Sequence, residues 1–158
     1  MYAPPPSLDD RRAIYENLYR FYPFVGLAAM KSEYREPAEQ CLGQAIVRCS
    51  GGQLTLLEIG CSDSSQVQHA VNQGVKCTIL GPGAKTTGDV KAIDCYYGEQ
   101  SLDSKFDIIS SRFCLEHVAE LDSFFLSASQ NLKSNGRLFI QVPNVAAWGA
   151  NHVSIPFA

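Results

Sequence analysis

Five short runs of apolar residues between positions 54 and 142 predict buried β-strands. The runs are apolar almost throughout rather than alternating, which is typical of strands covered on both faces of a sheet. Amphipathic segments separate several of them, and strands that alternate with helices indicate a parallel sheet. We therefore expect an α/β fold with a doubly wound, mostly parallel sheet of about five strands and helices on both faces. In chain order the runs are LTLLEI, VKCTIL, the weaker VKAIDCY, FDIISS and RLFIQV.

Helical spacing of apolar residues predicts two helices within this region. The first runs from about residue 64 to residue 73 and is followed by Gly74, a residue favoured after a helix end. We expect the second to end at Asn135-Gly136. The segment from 83 to 91 is too short for a further helix and its turn. The second helix is marked by Leu121, Phe125, Ala128 and Leu132.

The first fifty residues have a different pattern, which predicts a tail followed by helices. The proline-rich residues 1–6 favour an extended tail, and Ser7 with Asp10 has the spacing of a capping box at a helix start. A second amphipathic helix is expected to begin near Pro37. We therefore divide the single compact domain into two parts: an N-terminal tail and helical extension, 1–50, and the sheet domain, 51–158.

Composition and charge narrow the classes of function. The chain has 46% apolar and 18% charged residues and a net charge of −3, and its Lys and Arg residues are too scattered to form a nucleic-acid footprint. No run approaches the roughly 20 apolar residues that cross a bilayer, and the N-terminus does not resemble a secretory signal. The six cysteines have no metal-binding spacing. We expect a cytoplasmic protein with free thiols, no metal, and neither nucleic acid nor membrane as a partner.

Three segments in chain order carry a resemblance to a known enzyme family. LLEIGCSDS reads as a strand, a turn and a helix start; KFDIISSRFCLEHV ends in Leu-Glu-His-Val; LKSNGRLFIQVPN combines a helix end, a glycine turn and a strand. Together they resemble the class I S-adenosylmethionine-dependent methyltransferases, in the subgroup acting on small molecules, lipids and sugars. The resemblance covers about residues 54–144 and implies a Rossmann-like transferase whose cofactor is S-adenosylmethionine.

The resemblance implies a cofactor-binding loop after the first strand. Glu58 matches the acid that ends this strand in the family, and an acid within an apolar strand needs a partner. Gly60 matches the first loop glycine, whose missing side chain lets the backbone approach the cofactor. Cys61, Ser62 and Asp63 follow in the turn, where relatives have further glycines. Asp63 equally suits the N-cap of the next helix, and we favour that interpretation.

Two further positions bear on the cofactor. Relatives end the second strand with an acid that holds the ribose diol, but Gly81 stands at that position here. Asp94 lies about where relatives contact the adenine amino group. An ordinary exposed loop acid is an equally good interpretation of Asp94, because Asp is common in loops.

The residues after the fourth strand match a family segment that lines the cleft near the methyl group. The resemblance implies that Arg112 contacts the cofactor and that His117 is a candidate general base, since its pKa suits proton transfer. A structural hydrogen bond at a helix start is the alternative for His117. Relatives continue beyond the fifth strand, so we expect the tail, the N-terminal helices or a second subunit of a homo-oligomer to cover its edge.

The predicted function is a S-adenosylmethionine-dependent methyltransferase with an unidentified small-molecule acceptor. The alternative is a catalytically degenerate methyltransferase-like domain that serves as a binding or assembly module. The few loop glycines and Gly81 favour that alternative, whereas Glu58 and the Leu-Glu-His-Val segment favour the enzyme. A nicotinamide-binding domain fits less well, because GCSDSS lacks the GxGxxG spacing.

Overall fold

A computed structural model describes residues 7, 9, 10, 13, 40, 43, 44, 53–60 and 65–142 of the 158-residue chain. The described residues between 53 and 142 form five strands and two α-helices, with a short 3-10 turn before the second helix. Neither α-helix is long and apolar enough to cross a membrane. The elements are β1 Thr55–Ile59, α1 Ser65–Asn72, β2 Lys76–Leu80, β3 Lys91–Ile93, β4 Phe106–Arg112, the 3-10 turn Leu115–His117, α2 Leu121–Asn131 and β5 Leu132–Gln141.

The five described strands form one sheet in the order β3-β2-β1-β4-β5, and every neighbouring pair is parallel. The chain moves outward from β1 to β2 and β3, then crosses back to place β4 on the other side of β1. This reversal makes the β1–β4 boundary the topological switch point, where parallel α/β sheets bind their ligands. The predicted fold class, an α/β doubly wound parallel sheet, is confirmed.

Apolar side chains fill both faces of the sheet. On β1, Leu56 contributes to a core with Val67 of α1, whereas Leu57 contributes to a second core with Phe124 of α2. Successive residues of a strand point to opposite faces, so a strand buried on both sides is apolar at most positions. This requirement explains the nearly continuous apolar run that predicted β1, in which Glu58 is a buried charged exception.

The boundary between α2 and β5 differs from the sequence-based expectation. The helix ends at Asn131 rather than at Asn135-Gly136, because Leu132 has extended backbone angles and pairs with Phe106 of β4. The register then shifts, and regular pairing resumes at Arg137. Leu132 continues the helical spacing but belongs to β5, so the spacing alone overestimated the length of the helix.

The last residue of α2, Asn131, is held in place by its buried side chain. Its buried side-chain amide donates to the carbonyl oxygens of Leu102 (2.9 Å) and Ser104 (3.3 Å), and its amide oxygen accepts a hydrogen bond from the Tyr97 hydroxyl at 3.2 Å. A buried polar side chain is stable only when its hydrogen bonds are made. These bonds tie the end of α2 to the loop that precedes β4.

Two smaller expectations about local structure are confirmed. The segment from Gly81 to Val90 contains turns and an isolated bridge but no helix. At the other end of the chain, the Asp10 amide donates to the Ser7 hydroxyl and the Ser7 amide donates to the Asp10 carboxylate, which is a capping box. Most residues of the two predicted N-terminal helices lie outside the described part of the chain.

Asp107, Thr55 and Lys133 form a polar clamp that joins β4, β1 and β5 at the amino-terminal ends of these strands, opposite the switch point. The Asp107 carboxylate accepts hydrogen bonds from the backbone amide and hydroxyl of Thr55 and from Lys133 Nζ, each at 2.8 Å. Partial burial raises the pKa of Asp107, but these bonds outweigh it, so the pKa lies below its ordinary value. The clamp therefore favours the ionised carboxylate.

Candidate functional site

The carboxyl ends of β1 and β4 bring two charged side chains together. Glu58 lies opposite Ser110 in the register of the two strands, and Arg112 follows Ser110 by two residues. Residues two apart on a strand share a face. Arg112 is therefore on the same side of the sheet as Glu58, two residues closer to the ligand-binding edge. The two charges thus stand at the switch point itself.

Glu58 and Arg112 form a buried ion pair. Arg112 Nε and Nη2 both donate to Glu58 Oε1, at 2.9 and 2.8 Å, and the two side chains are only 6% and 1% exposed for Arg112 and Glu58. A buried carboxylate without a cation is strongly destabilising, so each residue depends on the other. The sequence singled out both residues but not their contact, which depends on the placement of β4 beside β1.

The turn after β1 requires a glycine at position 60. Gly60 has a φ of 73°, in the region that side chains disfavour, and its amide donates to the Leu80 carbonyl at 2.8 Å. A Cβ atom here would lie 2.6 Å from Cys114 Sγ. The bare backbone is thus used twice, once for the turn and once for close packing against Cys114. The other predicted loop residues, Cys61, Ser62 and Asp63, lie outside the described part of the chain.

No carboxylate follows β2 directly. Gly81 occupies that position, and its amide donates to the Ile93 carbonyl at 3.1 Å. The nearby Asp94 is exposed, and its Oδ1 accepts a hydrogen bond from the Gly83 amide at 2.8 Å. This bond holds the turn after β2, which suits the loop interpretation of Asp94. A contact between Asp94 and adenine stays a prediction.

Phe113 adopts an unusual backbone conformation immediately after β4. Its φ is 48°, and it is the one residue other than glycine with a positive φ in the described part of the chain. Its amide donates to the Gln141 carbonyl of β5 at 2.8 Å. The residue is half-buried beside the switch point. Strained backbone of this kind is concentrated at functional sites, and no sequence pattern indicated it.

Cys114 packs under the Gly60 turn as a protonated thiol. Burial raises its pKa to about 11, helped by the negative charges of Glu116 and Glu58, although the nearby Ser111 hydroxyl acts in the opposite direction. The thiolate is the nucleophilic form of cysteine. Cys114 is therefore suited to packing and not to nucleophilic catalysis.

His117 lies in the short 3-10 turn that follows β4. Its backbone amide donates to the Cys114 carbonyl at 2.9 Å, and its side chain is exposed. It stands in a turn and not at the start of an α-helix, since α2 begins four residues later. Among the described residues, no group of three or more His, Cys, Asp or Glu side chains is arranged to hold a metal ion.

A family model described as a methyltransferase domain matches residues 29–154. The chain belongs to this family. The match includes β1 to β5 and therefore the whole of the switch point with Glu58, Gly60 and Arg112. The resemblance found in the sequence is confirmed.

Individual relatives agree with the family match. The ubiquinone biosynthesis O-methyltransferase of Brucella anthropi is 26% identical over 106 residues, which cover 58% of this chain and 42% of that protein. The chain thus spans less than half the length of this curated relative.

Two solved structures share the fold at low sequence identity. One is the Burkholderia thailandensis 1,6-didemethyltoxoflavin-N1-methyltransferase with bound S-adenosylhomocysteine (TM-score 0.67, 17% identity, 89% of this chain and 66% of that one). The other is the plantazolicin methyltransferase BpumL with S-adenosylhomocysteine (TM-score 0.65, 14% identity, 95% of this chain and 60% of that one).

Proposed function

We propose that this chain is a S-adenosylmethionine-dependent methyltransferase that acts on a small-molecule acceptor. The observation that carries the proposal is the family match over residues 29–154, which spans the switch point and its buried charges. The names of the relatives support a small-molecule acceptor, since one is a 1,6-didemethyltoxoflavin-N1-methyltransferase and the other a ubiquinone biosynthesis O-methyltransferase.

The residues at the switch point fit this cofactor. The Gly60 turn follows β1 at the ligand-binding edge, and the Glu58–Arg112 pair supplies charge at the same edge. S-adenosylmethionine has no phosphate, so an anion-binding glycine-rich loop is unnecessary. The loop residues Cys61, Ser62 and Asp63 and the acid Asp94 are proposed as further contacts.

In the proposed mechanism, the cofactor supplies an electrophilic methyl group, and the protein mainly orients the two reactants. Holding reactants in line lowers the entropic part of the barrier. Glu58 and Arg112 position the cofactor. We propose His117 as the general base when the acceptor must lose a proton, because its side chain is exposed in the turn that follows β4 and an imidazole nitrogen can accept a proton.

Calorimetry with S-adenosylmethionine and S-adenosylhomocysteine tests the cofactor assignment, with Glu58→Ala as the variant. We expect micromolar binding by the wild-type protein and loss of binding by the variant. A mass-spectrometric screen of phenols, amines and carboxylic acids then searches for a product heavier by one methylene unit. A folded wild-type protein that binds neither ligand at millimolar concentration would sink the enzyme proposal.

A methyltransferase-like domain without catalysis is the second candidate, and Gly81 is the observation that favours it. The family's ribose-holding acid is replaced by glycine there, and Asp94, which follows β3, accepts a hydrogen bond from the Gly83 amide. This candidate predicts no cofactor binding in the calorimetric test and capture of a protein partner instead.

Further proposals concern the setting of the protein. We propose a cytoplasmic location, which the free thiols of Cys77, Cys95 and Cys114 support. We propose that a second subunit covers β5, which pairs only with β4 among the described strands. The division into 1–50 and 51–158 also stays a prediction, which limited proteolysis tests.

A further inference from the structure

The guanidinium of Arg112 uses only part of its hydrogen-bonding capacity on Glu58. Nε and Nη2 both donate to the same carboxylate oxygen, Oε1, at 2.9 and 2.8 Å. A guanidinium has more N–H donors than these two bonds use. No other described residue accepts a hydrogen bond from the side chain of Arg112. The Nη1 side of the guanidinium is therefore available to a ligand at the switch point.

The chemistry of the guanidinium restricts which part of S-adenosylmethionine it can bind. Arginine is a hydrogen-bond donor and never an acceptor, and it is always cationic. It repels the ammonium and sulfonium groups, and it gains most from an anion that accepts two parallel hydrogen bonds. The α-carboxylate of the methionine part is the only anionic group of this cofactor.

We propose that Arg112 binds the α-carboxylate of the methionine part of S-adenosylmethionine, and that Glu58 is a positioning residue acting through Arg112. This inference rests on the proposed function. The geometry explains why Glu58 does not simply repel the carboxylate of the cofactor. Arg112 stands two residues closer to the binding edge, and its charge neutralises that of Glu58. Burial of the pair keeps the guanidinium fixed, so little side-chain entropy is lost on binding.

Calorimetry with three ligands tests the assignment. S-adenosylhomocysteine has the carboxylate, decarboxylated S-adenosylmethionine differs from S-adenosylmethionine only by the loss of that group, and methylthioadenosine lacks the whole amino-acid part. We expect Arg112→Met to weaken S-adenosylhomocysteine binding about 10- to 100-fold, as expected for a hydrogen-bonded charge. Binding of the two ligands without a carboxylate should change by less than about threefold, within the error of indirect effects.

A matched double variant shows whether a loss of binding comes from misfolding. Arg112→Met alone leaves a buried carboxylate without its cation, whereas Glu58→Gln combined with Arg112→Met removes both charges. The double variant should fold and show the same selective loss of S-adenosylhomocysteine. Glu58→Gln alone keeps the guanidinium but loosens it, so it should weaken S-adenosylhomocysteine several-fold and leave methylthioadenosine unchanged. A merely structural role of Glu58 would weaken both ligands equally.

The outcomes separate this inference from the proposed function. Equal weakening of all three ligands in the folded double variant would overturn the inference. Unchanged S-adenosylhomocysteine binding would overturn it too, and would direct attention to a carboxylate on the methyl acceptor. If the wild-type protein binds none of the ligands, the proposed function fails and the inference fails with it.

Discussion

Replacing Gly60 by alanine should both destabilise the fold and close the turn at the switch point. The new Cβ would lie 2.6 Å from Cys114 Sγ and 2.7 Å from Cys114 Cβ, distances at which one of the two residues must move. The φ of 73° adds a second cost, because a side chain in that region is disfavoured by about 1–2 kcal/mol. Overpacking of a tight contact typically costs about 1–3 kcal/mol more. We therefore expect Gly60→Ala to lower the free energy of unfolding by about 2–5 kcal/mol.

A double-mutant cycle separates the two costs. Cys114→Gly removes both clashing atoms, the sulfur and the Cβ, so Gly60→Ala in that background should cost only the backbone part, about 1–2 kcal/mol. Urea unfolding at equal slopes gives each value. S-adenosylhomocysteine calorimetry on the folded single variant shows whether the turn also serves binding. A cost of less than about 0.5 kcal/mol for Gly60→Ala, or an equal cost in both backgrounds, would refute the steric reasoning.

Three further substitutions test other parts of the structure. Asp107→Asn should lower the free energy of unfolding by about 1–2 kcal/mol at pH 7. Because the folded pKa of Asp107 is lowered, the difference between wild type and variant should shrink as acid protonates the native carboxylate. Urea unfolding at several pH values measures this difference. Arg112→Met should cost about 3–5 kcal/mol by leaving Glu58 buried without its cation, and Glu58→Gln in the same chain should recover part of this in thermal unfolding. Asn131→Ala should lower the free energy of unfolding by about 2–4 kcal/mol, because it removes the hydrogen bonds from α2 to the preceding loop. Faster amide exchange at Leu102 and Ser104 would verify this cause, and unchanged exchange would contradict it.

The sequence was sufficient to predict the strands because burial on both faces leaves a local signal. Each apolar run became a strand, and the short segment after β2 contains no helix, as its length required. The end of α2 was predicted wrongly, because Leu132 satisfies the helical spacing and the sheet pairing at once. A local sequence pattern cannot decide between a helix and a strand when the same side chain suits both.

The contacts of the candidate site were less predictable than its residues. Glu58 and Gly60 were identifiable from the strand-end acid and the glycine that follows it. The partner of Glu58 was not, because the contact with Arg112 joins residues 54 positions apart through a crossover of the chain. The positive φ of Phe113 could not be predicted either, since phenylalanine normally avoids that conformation.

Three consecutive residues at the end of β4 each hold a different part of the molecule. Arg112 binds Glu58 of β1, the Phe113 amide binds the Gln141 carbonyl of β5, and Cys114 packs against the Gly60 turn. A substitution that moves any one of them disturbs the other two attachments as well. We therefore expect this triplet to tolerate little sequence drift. Changes in length and composition should instead accumulate in the surrounding loops, while the triplet keeps β1, β4 and β5 attached to one another at this end of the sheet.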